Sequence, residues 1–166
     1  HFYIEVQKHI PEQDKVNPEL MDLAERLGIG CVATNDVHFL LADDHALLRE
    51  GLKKSFESAG DEVVGEASNG EEAVAMAAEL SPQVVLMDLS MPGVSGVDAL
   101  AGFQEVAPTA RVLMLTVSED ENDLAAALRG GARGYLLKTV DSDMLAAAIL
   151  RTMAGESVVS PEMTSK

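Results

Sequence analysis

Short apolar runs alternate with helical patterns along most of this chain. The clearest run is Val84-Val85-Leu86-Met87, which is continuous rather than alternating and stops at Asp88. A continuous run is typical of a strand that is buried on both faces of a parallel sheet. Pro92-Gly93 then predicts a turn. Asp88 is therefore expected at the carboxyl end of a central strand, where open α/β sheets bind ligands, unless it only caps the next helix.

The same alternation predicts five strands and five helices from residue 39 onward. The predicted strands are 39–42, 63–67, 84–87, 112–115 and 134–137, and the predicted helices are 45–58, 70–80, 97–106, 119–129 and 142–153. Asn69, Ser118 and either Asp141 or Ser142 are the predicted helix N-caps. Strands that alternate with helices in this way indicate a parallel α/β sheet covered on both faces.

The first forty residues and the tail have different patterns. Residues 3–7 alternate like a strand, residues 18–27 carry an apolar helical face, and residues 31–34 form a second strand candidate. This succession predicts a β-α-β unit in front of the larger domain. Residues 155–166 are polar and are predicted to be a linker.

Composition narrows the partners that this chain can have. With 12 Lys and Arg against 28 Asp and Glu, the net charge of −16 argues against direct nucleic-acid contact. It suits a divalent cation or a basic partner, although excess acid also simply keeps proteins soluble. The single Cys31 excludes an internal disulfide. The absence of a long apolar run and of a signal peptide predicts a cytoplasmic protein without membrane contact, and the start at His1 is interpreted as excised.

Polar residues stand at the ends of four predicted strands. They are Asp43 and Asp44 after the first strand, Asp88 after the third, Thr116 after the fourth and Lys138 after the fifth. The carboxyl ends of parallel strands share one edge of the sheet, so these side chains are expected to meet. Three neighbouring carboxylates repel each other unless a cation compensates, and oxygen ligands suit Mg²⁺. A hydroxyl and an ammonium group beside them suit the oxygens of a phosphoryl group.

The sequence around these positions resembles the receiver domain of bacterial two-component response regulators, in the subgroup linked to LuxR-type (NarL-like) DNA-binding domains. The matching segments are Leu41-Ala42-Asp43-Asp44-His45, Asp88-Leu89-Ser90-Met91-Pro92-Gly93 and Gly134-Tyr135-Leu136-Leu137-Lys138. The resemblance implies a flavodoxin-like, doubly wound, five-stranded parallel sheet. It implies a protein that is not an enzyme beyond self-catalysed phosphorylation and dephosphorylation.

The resemblance also assigns roles to the candidate residues. It makes Asp88 the phosphoacceptor, Thr116 and Lys138 the partners of the phosphoryl oxygens, and Tyr135 the aromatic switch. It places Mg²⁺ on Asp43, Asp44, Asp88 and the backbone carbonyl of Ser90. The implied partner is a histidine kinase or a small phosphodonor.

A second resemblance covers the start of the chain. Val32-Ala33-Thr34-Asn35-Asp36-Val37-His38 resembles the polymerase-and-histidinol-phosphatase (PHP) domain of bacterial DNA polymerase III alpha subunits, in which Asp36 and His38 match a ligand pair. Two ligands are too few for a catalytic metal site, so phosphoesterase activity is not expected. The resulting division is a PHP-like fragment over 1–38, a receiver domain over 39–154 and a tail over 155–166.

Two strand candidates, residues 32–35 and residues 39–42, follow each other almost directly in the sequence. This arrangement suggests an engineered chimera of two α/β folds. The alternative function is therefore a chimeric fold without working activity. Residues 39–42 are expected to hold the central position in the sheet rather than residues 32–35. A spare strand beside a complete sheet also makes a homodimer, including a strand-swapped one, part of the expectation.

Overall fold

The computed structural model describes residues 3–7, 30–34 and 37–164, which fall into two compact units, His1–Val37 and His38–Lys166. In the first unit, strand β1 (Tyr3–Gln7) pairs in parallel with β2 (Gly30–Thr34), with Tyr3 opposite Gly30. Both strands of the predicted β-α-β unit are therefore present. The helix predicted over 18–27 and the candidate ligand Asp36 lie outside the described residues.

The second unit is built on a parallel sheet in the order β4-β3-β5-β6-β7-β8. Its strands are β3 (His38–Ala42), β4 (Glu62–Ala67), β5 (Val84–Met87), β6 (Arg111–Thr116), β7 (Gly134–Leu137) and β8 (Val158–Val159). Strand β3 lies between β4 and β5, so the prediction that residues 39–42 hold a central position is confirmed. Residues 32–34 belong instead to β2.

Helices follow the strands as the periodicity predicts. They are α1 (Ala46–Ser58), α2 (Gly70–Leu80), α3 (Gly96–Val106), α4 (Glu121–Arg129), α5 (Ser142–Met153) and α6 (Pro161–Thr164). The predicted N-cap Asn69 accepts a hydrogen bond from the backbone N–H of Glu72, and Asp141 accepts one from Met144. Within the described ranges, every helix is too short or too polar to cross a lipid bilayer.

The predicted N-cap of α4 was wrong. Asp120, not Ser118, accepts the hydrogen bond from the backbone N–H of Asn122, and the helix begins at Glu121. The Ser118 hydroxyl instead donates to the carboxylate of Asp123 and accepts from the N–H of Asp120. Asp is at least as good an N-cap as Ser, so the cap moves two residues along and leaves Ser118 in the preceding loop.

Both faces of the sheet are covered. Residues 84–87 are all buried, and along β3 successive side chains point to opposite faces. Leu40 and Ala42 belong to the core cluster that α2 and α3 share. Phe39 instead stacks on Phe56 of α1, with 4.3 Å between the ring centroids. This two-sided burial explains why the central strands are apolar without alternation.

The sheet has six strands rather than the predicted five, because part of the expected linker joins it. Val158–Val159 pairs with β7, opposite Gly134 and Tyr135. Just beyond it, the Ser160 hydroxyl accepts a hydrogen bond from the N–H of Leu137, and Met163 is buried in the core. The apolar positions in this mostly polar segment find their partners only in the folded domain, so local pattern alone did not identify them.

Candidate functional site

The predicted polar residues lie at one edge of the sheet. Asp43 follows β3, Asp88 follows β5, Thr116 ends β6 and Lys138 follows β7, and these four strands are neighbours. The sheet hydrogen bonds continue into the site, because the N–H of Asp88 donates to the carbonyl of Ala42 at 2.8 Å. This backbone hydrogen bond therefore holds the main chain of Asp88 beside the end of β3, where Asp43 follows.

Lys138 joins two of the carboxylates. Its Nζ lies 2.7 Å from Oδ2 of Asp43 and 3.0 Å from Oδ2 of Asp88. Both aspartates are about 95% buried, at 5% and 4% exposure, so the ammonium group is their main internal countercharge. Burial lowers the pKa of Lys138, but hydrogen bonding to Asp43 and Asp88 outweighs it, and the pKa lies above its usual value. Lys138 is therefore charged at neutral pH.

The site carries more negative charge than Lys138 can balance. One ligand atom each from Asp43, Asp44, His45 and Asp88 lies within 4.8 Å of the others. Oδ1 of Asp88 is buried and has no hydrogen-bond partner within the part of the chain that the structure describes. An unsatisfied buried carboxylate oxygen is costly, and a divalent cation would satisfy it. The oxygen donors therefore fit Mg²⁺, with Asp43, Asp44 and Asp88 as the residues that could hold it.

Two residues that were not among the predicted site residues also reach the site. Nδ1 of His45 lies 3.1 Å from Oδ1 of Asp43 and 3.0 Å from Oδ1 of Asp44. The guanidinium group of Arg49 donates to the backbone carbonyl of Asp43. His45 directly follows the two aspartates, and Arg49 lies one helical turn later on α1. That i, i+4 spacing is the pattern that could have identified the pair.

Thr116 and Tyr135 are connected through one loop residue. Thr116 is fully buried and its hydroxyl oxygen accepts the N–H of Ser118 at 3.1 Å. The phenol of Tyr135, also fully buried, donates to the carbonyl of Ser118 at 3.0 Å. Burial raises the pKa of Tyr135, and the hydrogen bond to Ser118 only partly opposes this. The loop that follows β6 is therefore attached to both predicted residues.

The close approach of α3 to Asp88 depends on a glycine. A Cβ placed on Gly96 would lie 2.3 Å from the backbone oxygen of Asp88, closer than real contacts allow. The N–H of Gly96 also donates to the carbonyl of Leu89. Ser90, whose carbonyl is a predicted metal ligand, lies in the loop between them. This loop is therefore held in a tight turn beside the carboxylates.

His38, the second residue of the PHP-like pair, does not join these groups. It begins β3, four residues before its last residue Ala42, and its ring contacts Glu62 at 3.2 Å. Its backbone N–H donates to the side chain of Gln83. His38 thus lies at the opposite end of the strand from Asp43 and makes ordinary polar contacts there.

Comparison with known proteins agrees with this geometry. The family model of the response regulator receiver domain matches residues 39–150. The chain belongs to the response regulator receiver family. It is 43% identical over 126 residues to the nitrate/nitrite response regulator protein NarL of Escherichia coli, an alignment that covers 75% of this chain and 58% of NarL. Receiver domains bind Mg²⁺ in an acidic pocket, and this chain has a cluster of aspartates at the carboxyl edge of its sheet.

Solved receiver structures share the fold. A LuxR-family two-component response regulator from an Aurantimonas species superposes with a TM-score of 0.73 at 33% identity, covering 78% of this chain and 93% of that one. The isolated receiver domain of RcsB from Salmonella enterica serovar Typhimurium, solved with the phosphomimetic BeF3−, gives 0.71 at 25% identity, covering 79% and 98%. The flavodoxin-like fold predicted from the sequence is confirmed, with one additional strand.

Proposed function

We propose that this chain is a phosphoacceptor module that takes a phosphoryl group onto Asp88 from a histidine kinase or a small phosphodonor. The observation that carries the proposal is the Asp88 side chain itself, which has one oxygen on Lys138 at 3.0 Å and the other without a hydrogen bond in the described chain. A carboxylate held in this way has one oxygen fixed by Lys138 and one open to a partner that the described chain does not supply. The RcsB receiver, solved with a phosphomimetic, supports the same use of the fold.

Each neighbouring group has a part in the proposed transfer. One carboxylate oxygen of Asp88 forms the new bond to phosphorus while the bond between phosphorus and the donor breaks, and the donor leaves with the bonding electrons. Lys138 and the Thr116 hydroxyl receive the phosphoryl oxygens. Mg²⁺, held by Asp43, Asp44, Asp88 and the Ser90 carbonyl, would supply the remaining positive charge. Phosphoryl transfer needs mainly positioning and charge neutralisation, which these groups provide.

Labelling with acetyl phosphate tests the proposal. The protein is incubated with Mg²⁺ and acetyl phosphate, and intact mass spectrometry is expected to show the gain of one phosphoryl group. Asp88→Asn removes the proposed nucleophile and should abolish the gain. Asp143→Asn, an exposed position in α5, is the matched control and should label normally. Full labelling of Asp88→Asn would exclude Asp88 as the acceptor, and no labelling of the wild type would favour the inactive chimera.

The partners of the whole protein are part of the proposal. The chain spans 57–63% of the length of curated relatives such as DegU of Brevibacillus brevis and VraR of Staphylococcus aureus. We propose a histidine kinase as the phosphoryl source and no DNA contact by this chain, given its net charge of −16. A kinase that phosphorylates the wild type but not Asp88→Asn would support the first point. DNA binding that depends on residues 39–164 would contradict the second.

Self-association and the origin of the first unit remain proposals as well. A homodimer, including a strand-swapped one, would cover exposed apolar side chains such as Leu47 on α1 and Leu150 on α5, which are 85% and 69% exposed. Light scattering across a concentration series tests it, and a monomer at all concentrations would reject it. The parallel pairing of β1 and β2 agrees with a β-α-β unit, and a PHP-like origin of residues 1–38 is a proposal that rests on the sequence resemblance alone. Incubation of the chain with a phosphate ester tests the expectation of no phosphoesterase activity. Absence of hydrolysis would agree with that expectation.

A further inference from the structure

The feature that the proposed function does not use is the imidazole at the mouth of the acidic pocket. We propose that His45 is a fourth side-chain ligand of the metal, which shifts the preference of the site from Mg²⁺ toward Mn²⁺ and similar borderline divalent ions. The inference rests on the metal position of the proposed function. It adds a nitrogen donor to a set that is otherwise made of oxygens.

The geometry places the ring nitrogen where a ligand would be. Nδ1 of His45 lies 3.1 Å from Oδ1 of Asp43 and 3.0 Å from Oδ1 of Asp44. One ring nitrogen of His45 also belongs to a group of four ligand atoms that lie within 4.8 Å of one another, together with a carboxylate oxygen of Asp88. An ion bound between the carboxylates would therefore meet Nδ1 without a large movement of the backbone.

A cluster of acids alone would not define a site, but Asp88 provides a second observation. Its Oδ1 is buried and lacks a hydrogen bond to any group in the described ranges. Lys138 already occupies Oδ2 of both Asp43 and Asp88. Oδ1 of Asp88 is therefore open to a partner other than the described residues, and a carboxylate oxygen of Asp88 lies within 4.8 Å of a ring nitrogen of His45.

The ring can accept a metal without a penalty in burial. The His45 side chain is 70% exposed, so the neutral tautomer with its proton on Nε2 can place that N–H in water. A bound ion would take the place of the hydrogen bond that joins Nδ1 to Oδ1 of Asp43 at 3.1 Å. The backbone N–H of His45 also donates to Oδ1 of Asp43 at 2.8 Å, which holds the residue beside the cluster.

The chemistry of the donor sets the selectivity. Mg²⁺ prefers oxygen ligands and retains its waters, whereas imidazole nitrogen binds first-row transition metals well. A site with three carboxylates accepts Mg²⁺ whether or not His45 is present. A site that also offers Nδ1 should favour Mn²⁺ and Co²⁺ over Mg²⁺ more strongly than an oxygen-only site.

Pulsed electron paramagnetic resonance of the Mn²⁺-loaded chain tests the ligand directly. The wild type, with Mn²⁺ below one equivalent, should show the modulation that a directly bound nitrogen produces. His45→Ala should lose it. His38→Ala is the matched control because that ring contacts Glu62 instead, and it should keep the modulation. Both variants leave His1 and His9 in place, so a change seen only in His45→Ala is specific.

Calorimetric titration gives the selectivity. We expect His45→Ala to weaken Mn²⁺ binding by about tenfold or more and Mg²⁺ binding much less. His45→Gln, which offers no ring nitrogen, should behave like His45→Ala. Equal loss for both ions, or nitrogen modulation that survives in His45→Ala, would overturn the proposal. In either case labelling of Asp88 in Mg²⁺ would still support the phosphoacceptor function, whereas failure of the wild type to bind any divalent ion would overturn both.

Discussion

The hydroxyl of Tyr135 donates a hydrogen bond to the backbone carbonyl of Ser118 at a distance of 3.0 Å. Ser118 in turn donates its N–H to the hydroxyl of Thr116. A fully buried phenol is thereby connected, through one loop residue, to the residue proposed to receive a phosphoryl oxygen. Any movement of Thr116 toward Asp88 must therefore be transmitted to this loop or break one of the two hydrogen bonds.

The buried phenol makes stability depend on pH in the alkaline range. Because burial raises the pKa of Tyr135, its folded-state value lies above the unfolded value of about 10. The resulting stabilisation is fully present below about pH 10 and is lost as the pH rises through the folded pKa. Tyr135→Phe should cost about 0.5–1.5 kcal/mol at neutral pH through the lost hydrogen bond.

Urea unfolding as a function of pH measures this effect. The difference in free energy of unfolding between the wild type and Tyr135→Phe should shrink above about pH 10, where only the wild type has a phenol to ionise at that position. Tyr3→Phe removes the only other tyrosine in the sequence and is the control. A constant difference across this range would show that the pKa of Tyr135 is not raised.

Removal of Lys138 should expose the repulsion between the carboxylates. Lys138→Met leaves the buried side chains of Asp43 and Asp88 without their countercharge, so we expect a loss of about 3–5 kcal/mol. Mg²⁺ should recover part of it, because a divalent ion can replace the missing charge. Thermal melts with increasing Mg²⁺ should show a larger rise in Tm for this variant than for the wild type.

A double variant separates charge from packing in that experiment. Lys138→Met combined with Asp43→Asn removes one of the two repelling carboxylates and should be more stable than Lys138→Met alone. If both variants were equally destabilised and neither responded to Mg²⁺, lost packing of the lysine stem would explain the effect better than charge.

Gly96 and Gly51 make a matched pair for the turn beside Asp88. Gly96→Ala places a methyl group 2.3 Å from the carbonyl oxygen of Asp88, so α3 must move. We expect a loss of about 1–3 kcal/mol together with slower labelling of Asp88. Gly51→Ala lies in the exposed middle of α1, where a Cβ meets nothing within 4 Å. It should gain about 0.5–1 kcal/mol from helix propensity and label normally.

Unfolding curves and rates of Asp88 labelling, measured for both variants, test whether the approach of α3 positions Asp88. Equal stability of Gly96→Ala and the wild type would mean that the turn relaxes freely, and the proposed positioning of Asp88 by α3 would be wrong.

Local patterns were sufficient for most of the domain. The run that ends at Asp88 and the cap at Asn69 are read within a few residues, because burial on both faces and capping both leave a local signature. The meeting of Asp43, Asp88 and Lys138 followed from topology, since parallel strands bring their carboxyl ends to one edge.

Other features depend on contacts between distant residues and left no local pattern. The hydrogen bond from Tyr135 to Ser118, for example, joins positions 17 apart. The two-residue strand β8 is too short to be predicted alone, because its stability comes from pairing with β7. The pairing of β8 is thus a tertiary effect that overrides the polar composition of the tail.

The last prediction concerns that tail. Met163 in α6 is 4% exposed and belongs to the main core cluster, although it lies in a segment that the sequence pattern marks as a linker. If the tail is docked in solution, Met163→Ala should cost about 2 kcal/mol, the lower end of the range for a buried methionine, because α6 has only four residues. Met144→Ala, at a position that is 44% exposed in α5, is the control and should change stability by less than about 0.5 kcal/mol. Urea unfolding followed by circular dichroism suits a chain without tryptophan.

Hydrogen exchange adds a second readout of whether the tail is docked, since the amide of Leu137 donates to the Ser160 hydroxyl and should exchange faster in Ser160→Ala and in Met163→Ala. Two methionine variants of equal stability, with an unchanged Leu137 amide, would mean that the tail is a free linker after all.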